Sequence, residues 1–161
     1  MRLRFARSTA ALGLAGCALL GIAGPAGAAS APQGFNISTS SGGTYAGWAN
    51  AYGNVVFHGT MTFEVTATVA DKCPADGAGA YVRVESIWTD GSVHVGNSFV
   101  GDASGCSDGI TATGRTYPTE PMKVKSVRVT VRECDKVGTS LNCSENSADI
   151  ARSTWKDNPY T

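Results

Sequence analysis

The sequence predicts an all-β protein: an antiparallel β-sandwich, or an open barrel, of about six to eight short strands held by two disulfides. Three observations lead to this prediction. Apolar and polar residues alternate with a period of two along several stretches, and turn formers recur about every 8–12 residues. No stretch has the apolar spacing of an ordinary amphipathic helix. An even number of cysteines after the N-terminal segment accounts for the disulfides.

The clearest strand is predicted over residues 125–134, and the chain then passes through turn formers to Cys143. Valines alternate there with polar residues, which is typical of a strand with one buried and one solvent-facing side. A β-bulge is expected near Ser126, because the apolar positions change from even to odd numbers there. The alternating residues are Val127, Val129 and Val131 against Arg128, Thr130 and Arg132.

Weaker alternation predicts the remaining strands, which are bounded by glycine, proline and aspartate turns. Trp88 shares a face with Val82 and Val84 and is predicted to lie in the core. The last segment is predicted as a strand, although Ser147 could also cap a short helix there. The predicted strands are 55–57, 60–70, 81–89, 92–100, 110–117 and 148–155.

Residues 1–29 have the features of a secretory signal peptide, so the protein is predicted to be secreted and extracellular. Three arginines precede an apolar stretch at 10–23, and the small residues Ala26-Gly27-Ala28 form a cleavage pattern. The rival interpretation is a lipoprotein signal with the lipid on Cys17. No second apolar run follows, which predicts no membrane attachment once the signal is removed.

The remaining chain is predicted to be one domain. Residues 30–44 are rich in small and polar residues and are expected to form a flexible lead-in. Residues 45–161 form the β-domain, with a frayed tail at 156–161. Losing the three signal arginines leaves ten bases against thirteen acids, a net charge of −3. The bases are scattered, which predicts no nucleic-acid binding. The protein is also expected to be a monomer and to need no cofactor.

The four cysteines after the signal are predicted to form two disulfides. Three pairings are open. Cys134–Cys143 is preferred because the two residues bracket one turn-rich loop, and Cys73–Cys106 is then the second pair. A zinc site is less compatible with the sequence, because no C-x-x-C pair is present.

Three short motifs resemble a family of small secreted actinobacterial proteins of uncharacterised function. They are the Ala75-Asp76-Gly77 turn before Tyr81-Val82-Arg83-Val84, the strand Ser126-Val127-Arg128-Val129, and the later Asn142-Cys143. The resemblance implies export and a small disulfide-bonded β-domain. It implies no activity and no site residues.

Catalytic and metal-binding patterns are weak, and the chain is predicted not to be an enzyme. Glu64 and Glu85 lie on predicted neighbouring strands, and both are expected to face solvent beside basic residues. A loop with Asp102, Ser104 and Asp108 alternates oxygen ligands with small residues, as calcium loops do, but lacks the acidic density of an EF-hand. Turn formation explains these residues without a metal.

Aromatic residues near the start of the domain give the best candidate site. Tyr45, Trp48 and Tyr52 lie close together in the sequence, with Asn50 between the last two. In an extended segment Trp48, Asn50, Tyr52 and Asn54 would share a face. Aromatic rings beside amide groups suit sugar rings, whose CH groups stack on the aromatic ring while their hydroxyls bind the amides.

These observations favour a secreted, non-catalytic binding module for an extracellular ligand, such as a polysaccharide or the cell wall. One alternative is a secreted protease inhibitor that presents the Cys134–Cys143 loop, with Lys136 or Leu141 entering the protease's specificity pocket. A second alternative is a structural protein of the envelope.

Overall fold

Two antiparallel β-sheets packed face to face make up the computed structural model, which describes residues 28–45, 47–72, 78–103 and 110–161. A 3₁₀ turn at Ser147–Asp149 is the sole helical segment in those ranges. The strands are β1 Gln33–Ser38, β2 Trp48–Phe57, β3 Phe63–Lys72, β4 Ala78–Trp88, β5 Val93–Asp102, β6 Ala112–Thr116, β7 Val124–Val137, β8 Ser140–Cys143, β9 Ile150–Arg152 and β10 Lys156–Asp157.

Sheet 1 has the strand order β1-β2-β3-β6, and sheet 2 has the order β10-β7-β4-β5, with β8 and β9 also paired to β7. The chain crosses between the sheets after β3, after β5 and after β6. The predicted all-β sandwich is therefore confirmed, and within the described ranges the sheets do not close into a barrel.

The core lies between the inner faces of the two sheets. It is formed by alternate residues of each strand, as the period of two requires. The three valines of β7 that were predicted to be buried are fully enclosed, and Trp88 is half-buried and packs against the core. The fully buried apolar residues include Val55, Phe57, Phe63, Val65, Val69, Val82, Val124, Val127, Val129 and Val131.

Two segments predicted to be irregular are strands. The lead-in contains β1, because Phe35 and Ile37 turn toward the core while the backbone pairs with β2 along its whole length. The expected frayed tail contains β10, and Asn158 after it is buried and donates to the carbonyl oxygens of Gly59 and Val124. Long-range backbone pairing, which leaves no local signal, orders both segments.

The predicted Cys134–Cys143 loop is instead a β-hairpin. β7 continues past Cys134 to Val137, and a turn at Gly138 and Thr139 leads into β8. Gly138 has a φ of 62°, a left-handed conformation that glycine adopts at little cost. Cys134 and Cys143 are register partners joined by a disulfide, so this predicted pair is confirmed, but it braces paired strands.

The predicted bulge near Ser126 is confirmed: Ile87 pairs with Ser126 while Trp88 pairs with Val124. The segment predicted as a strand at 148–155 is divided between the 3₁₀ turn and β9. The prediction that one side of β7 faces solvent is wrong, because Thr130 on that side is fully buried and Arg132 is 8% exposed. The sequence shows the alternation but not the neighbours that cover this side of the strand.

Several predictions fall outside the described residues. These are the signal peptide except for residues 28 and 29, the lipid site at Cys17, and the Cys73–Cys106 pair. Across the described ranges, no helix has the length and apolar character needed to cross a membrane.

Candidate functional site

The outer face of sheet 1 carries the aromatic residues singled out in the sequence. β2 alternates between small or apolar residues that face the core and larger polar or aromatic residues that face outward. Trp48, Asn50, Tyr52 and Asn54 are among the outward residues, so all four lie on one side of one strand. We call this side, with its neighbours on β1, β3 and β6, the aromatic face.

Trp48 and Tyr52 are the large exposed side chains of this face, with 40% and 47% of their surface accessible. Tyr52 lies four positions after Trp48 on an extended strand, so their Cα atoms are about 13 Å apart. No ring-to-ring contact joins Tyr45, Trp48 and Tyr52 in the described part of the chain. The rings of Trp48 and Tyr52 are therefore two separate stacking surfaces, or platforms, that follow each other along β2.

Asn50 lies between the two platforms and is held by β1. Its Nδ2 donates to Asn36 Oδ1 at 2.9 Å, to the Ile37 carbonyl at 3.1 Å and to Ser38 Oγ at 3.0 Å. These bonds fix the orientation of the amide. Among the described residues nothing donates to the Asn50 Oδ1, which is left as an acceptor on the aromatic face.

Short polar side chains lie beside Tyr52 on the aromatic face. Tyr52 pairs with Asn36 on one side and with Thr68 on the other, and Thr68 pairs in turn with Thr113 on β6. The Oγ1 atoms of Thr68 and Thr113 lie 2.9 Å apart. Threonine has a short side chain, so its hydroxyl lies near the sheet on the side of Tyr52 that faces β3.

Tyr45 does not belong to this face. It precedes β2, and its hydroxyl donates to the carbonyl of Asn142 on β8 at 3.2 Å. Tyr45 therefore contacts the hairpin of sheet 2, while Trp48, Asn50 and Tyr52 remain together on sheet 1. The four residues are close in sequence, but Tyr45 lies before β2 and its hydroxyl contacts β8 of sheet 2.

The residues proposed for an inhibitor loop lie inside the hairpin. Lys136 is exposed on β7, and its register partner is the half-buried Leu141 on β8. Only Gly138 and Thr139 lie outside the ladder between the two cysteines. The open, disulfide-closed loop that the inhibitor interpretation uses is therefore not present in this form.

The calcium loop falls largely outside the described residues, which include Asp102 but neither Ser104 nor Asp108. Asp102 is buried at the end of β5, and its Oδ2 accepts a hydrogen bond from the backbone N–H of Asp71 at 3.0 Å. This carboxylate ties β5 to β3. In the described ranges no group of three or more His, Cys, Asp and Glu side chains is arranged to hold a metal ion.

A buried carboxylate on sheet 2 was missed by sequence reasoning. Glu85 was expected to face solvent on a strand next to Glu64, but Glu64 lies on sheet 1 and Glu85 is 3% exposed on the outer side of β4. Glu85 Oε2 accepts from Arg128 Nε at 2.8 Å and from Arg128 Nη2 at 2.5 Å. Its other oxygen accepts from Thr130 at 3.0 Å.

Further arginines surround this carboxylate. Arg83 Nη2 lies 3.4 Å and Arg152 Nε 3.8 Å from Glu85 Oε1, and the Arg128 guanidinium also stacks over the Trp155 ring at 4.4 Å. Burial raises the pKa of Glu85, but the bonds and charge of Arg128, with Thr130 and Arg83, outweigh it and hold the pKa below its usual value. The pattern that could have indicated this cluster is Arg128, Thr130 and Arg132 on one side of β7.

Comparisons with protein-family models, with curated proteins and with solved structures give no match for this chain. The function is therefore argued from the geometry of the described residues.

Proposed function

We propose that the protein is an extracellular, non-catalytic binding module whose aromatic face binds a polysaccharide. The observation that carries the proposal is the exposed pair Trp48 and Tyr52, in line on β2 with the fixed amide of Asn50 between them. The Cys134–Cys143 disulfide and the predicted signal peptide support a location outside the cell.

The physical match is between a flat face and an extended chain of sugar rings. Aromatic rings present an apolar surface to the CH groups of a sugar, and the amide and threonine groups between them can bond its hydroxyls. Two platforms about 13 Å apart span more than one sugar ring, so an extended chain would contact both. Because the amide of Asn50 is already oriented by β1, little side-chain entropy is lost when it binds.

The described part of this face is poorly suited to hydrolysis. Glycosidases use two carboxyl groups on either side of the scissile bond. Glu64 is the carboxylate on this face, and Arg115 Nη2 holds it at 2.6 Å. Burial raises the pKa of Glu64, but the hydrogen bond and charge of Arg115 outweigh it and keep the pKa below its usual value. An ionised, paired carboxylate is a poor general acid.

The test is co-sedimentation of the purified protein with insoluble chitin, cellulose, xylan and cell-wall material. We expect the wild type to sediment with at least one of them, and Trp48→Ala to lose most of that binding, by about tenfold or more in affinity. Tyr160→Ala is the matched control, because Tyr160 is an aromatic residue of similar exposure, 36%, that follows β10 and lies outside sheet 1.

Two results would contradict the proposal. If the wild type sediments with none of the four materials, the hypothesis of a polysaccharide ligand is rejected. Inhibition of a panel of proteases and binding to an envelope fraction would then test the inhibitor and structural alternatives. Equal loss of binding in the Trp48 and Tyr160 variants would show that the aromatic face has no specific role.

A further inference from the structure

A cleft on the outer side of sheet 2 contains two arginines with unused hydrogen-bond donors. The cleft has a volume of about 330 Å³ and lies between β5 and the β7–β8 hairpin. Its charged lining residues are Arg83 and Arg132, and no acidic residue among those that the structure describes lines it. Asn97, Ser98 and Leu141 form other parts of its wall.

Arg132 is held in place by one end of its guanidinium group. Its side chain is 10% exposed, and its Nη2 donates to the carbonyl of Ser144 at 2.6 Å and to Glu145 Oε1 at 2.7 Å. Its Nε is buried and has no hydrogen-bond partner among the described residues. A buried donor without a partner is costly, and more so when it belongs to a charged group.

Arg83 has the same property on β4, the strand between β7 and β5. Its Nε is also buried without a partner in the described part of the chain, and its Nη2 reaches Glu85 at a long 3.4 Å. The carboxylate of Glu85 is already used by Arg128 and Thr130. Arg83 is thus a cation whose nearest counter-charge is shared.

The backbone brings the two arginines together. Arg83 pairs with Thr130, and Tyr81 pairs with Arg132, so the two arginines are diagonal neighbours on adjacent strands and face the same side. Two positive charges on diagonal neighbours of adjacent strands repel each other unless an anion lies between them. The carboxylate nearest to Arg132 outside the cleft, that of Glu145, is 88% exposed and screens it weakly.

The opposite wall of the cleft is irregular in a way that is typical of binding sites. Arg83 pairs with Ser98 and Glu85 pairs with Val95, so Gly96 and Asn97 together oppose the single residue between them. Such a β-bulge redirects side chains and is common beside functional sites. Here it places Asn97 and Ser98, both able to donate hydrogen bonds, at the rim of the two-arginine cleft.

We propose that this cleft binds an oxyanion, the carboxylate or phosphate group of an extracellular ligand, between Arg83 and Arg132. Guanidinium groups offer planar sets of N–H donors that match carboxylate and phosphate oxygens, and Arg83 and Arg132 bring two such groups to one cleft. The disulfide stabilises the wall formed by β8, since Cys143 and Leu141 both line the cleft. This inference does not depend on the aromatic face, which lies on the other sheet.

Isothermal titration calorimetry tests the proposal with two probes, sodium phosphate and sodium glucuronate, at an ionic strength held constant with sodium chloride. We expect saturable one-to-one binding of at least one probe. Arg83→Gln should weaken it at least about tenfold, as the loss of one charge-assisted hydrogen bond implies. Lys125→Gln is the control, because Lys125 is exposed at the start of β7, lies outside both proposed sites and should leave the affinity unchanged.

The two probes separate the sources of the oxyanion. Binding of phosphate alone identifies a phosphate ligand, and binding of glucuronate alone identifies a carboxylate ligand such as an acidic sugar. If Arg83→Gln does not fold, Asn97→Asp replaces it, because Asn97 is exposed and a carboxylate there should repel both probes. No saturable binding of either probe, or equal weakening by the cleft variant and Lys125→Gln, would overturn the proposal.

Discussion

At the scale of the residue, Glu85 is the side chain around which the polar side of sheet 2 is arranged. A carboxylate that is 3% exposed is tolerated because Arg128 binds one of its oxygens with two nitrogens and Thr130 binds the other. Removing the acid would leave several arginines close together without their shared counter-charge. Glu85 is thus predicted to matter for stability and for the position of Arg83.

This arrangement predicts a defined pH dependence. Because the pKa of Glu85 is lowered in the folded state from an ordinary value of 4.5, its contribution is complete above that value and is lost as the pH falls below it. We expect Glu85→Gln to reduce the free energy of unfolding by about 3 kcal/mol at neutral pH. We also expect it to flatten the loss of stability in acid. Urea unfolding at several pH values measures both.

Glu145→Gln is the control for that experiment. Its side chain is 88% exposed, so its ion pair with Arg132 should contribute little. A Glu85 variant as stable as the Glu145 variant at neutral pH, or one with an unchanged acid limb, would show that the buried carboxylate is not stabilising.

At the scale of the element, the β7–β8 hairpin joins a regular ladder to a disulfide. Cys134 and Cys143 are register partners nine residues apart in sequence, so the disulfide closes a short loop around four paired positions. Arg132 lies two residues before Cys134 on β7. It donates to the carbonyl of Ser144, which directly follows β8 of the same hairpin. The hairpin therefore supports both the edge of sheet 2 and one wall of the two-arginine cleft.

Replacing both cysteines by serine should lower the free energy of unfolding by about 2.5 kcal/mol, the value of loop closure for a disulfide of this span. Denaturant unfolding under non-reducing conditions measures it. Adding a reductant to the wild type gives the matched comparison. An unchanged midpoint in the double variant would mean that backbone pairing alone holds the hairpin.

Elements with strong alternation could be predicted from the sequence, and weakly patterned ones could not. The valines of β7 and the threonines of β3 reveal their strands because each has one apolar and one polar set of residues. β1 and β10 have short or mixed patterns, and distant backbone partners order them. The hairpin was predicted as a loop because its residues are turn formers, although only Gly138 requires a turn conformation.

At the scale of the whole molecule, the sandwich separates two different surfaces. The aromatic face lies on the outer side of sheet 1, and the two-arginine cleft lies on the outer side of sheet 2, with the apolar core between them. A ligand on one side leaves the other side accessible. A polymer and an oxyanion could therefore be bound at the same time.

The division into two sheets is the part of the fold that local patterns do not determine. Glu64 and Glu85 were expected on neighbouring strands, but the chain crosses from sheet 1 to sheet 2 between β3 and β4. Sheet membership depends on which distant strands pair, and the period of two is the same in both sheets. Trp48, Asn50 and Tyr52 could be grouped in advance because they lie on a single strand.

Hydroxyl-radical footprinting of the protein, free and bound to whichever insoluble polysaccharide retains it, shows directly whether the ligand covers the aromatic face. Trp48 and Tyr52 are exposed on the aromatic face, while Trp155 packs over Arg128 on sheet 2 and provides an internal reference. We predict that binding protects Trp48 and Tyr52 from oxidation and leaves Trp155 unchanged. Equal oxidation of Trp48 in both states, or protection confined to Trp155, would contradict the assignment of the aromatic face as the binding surface.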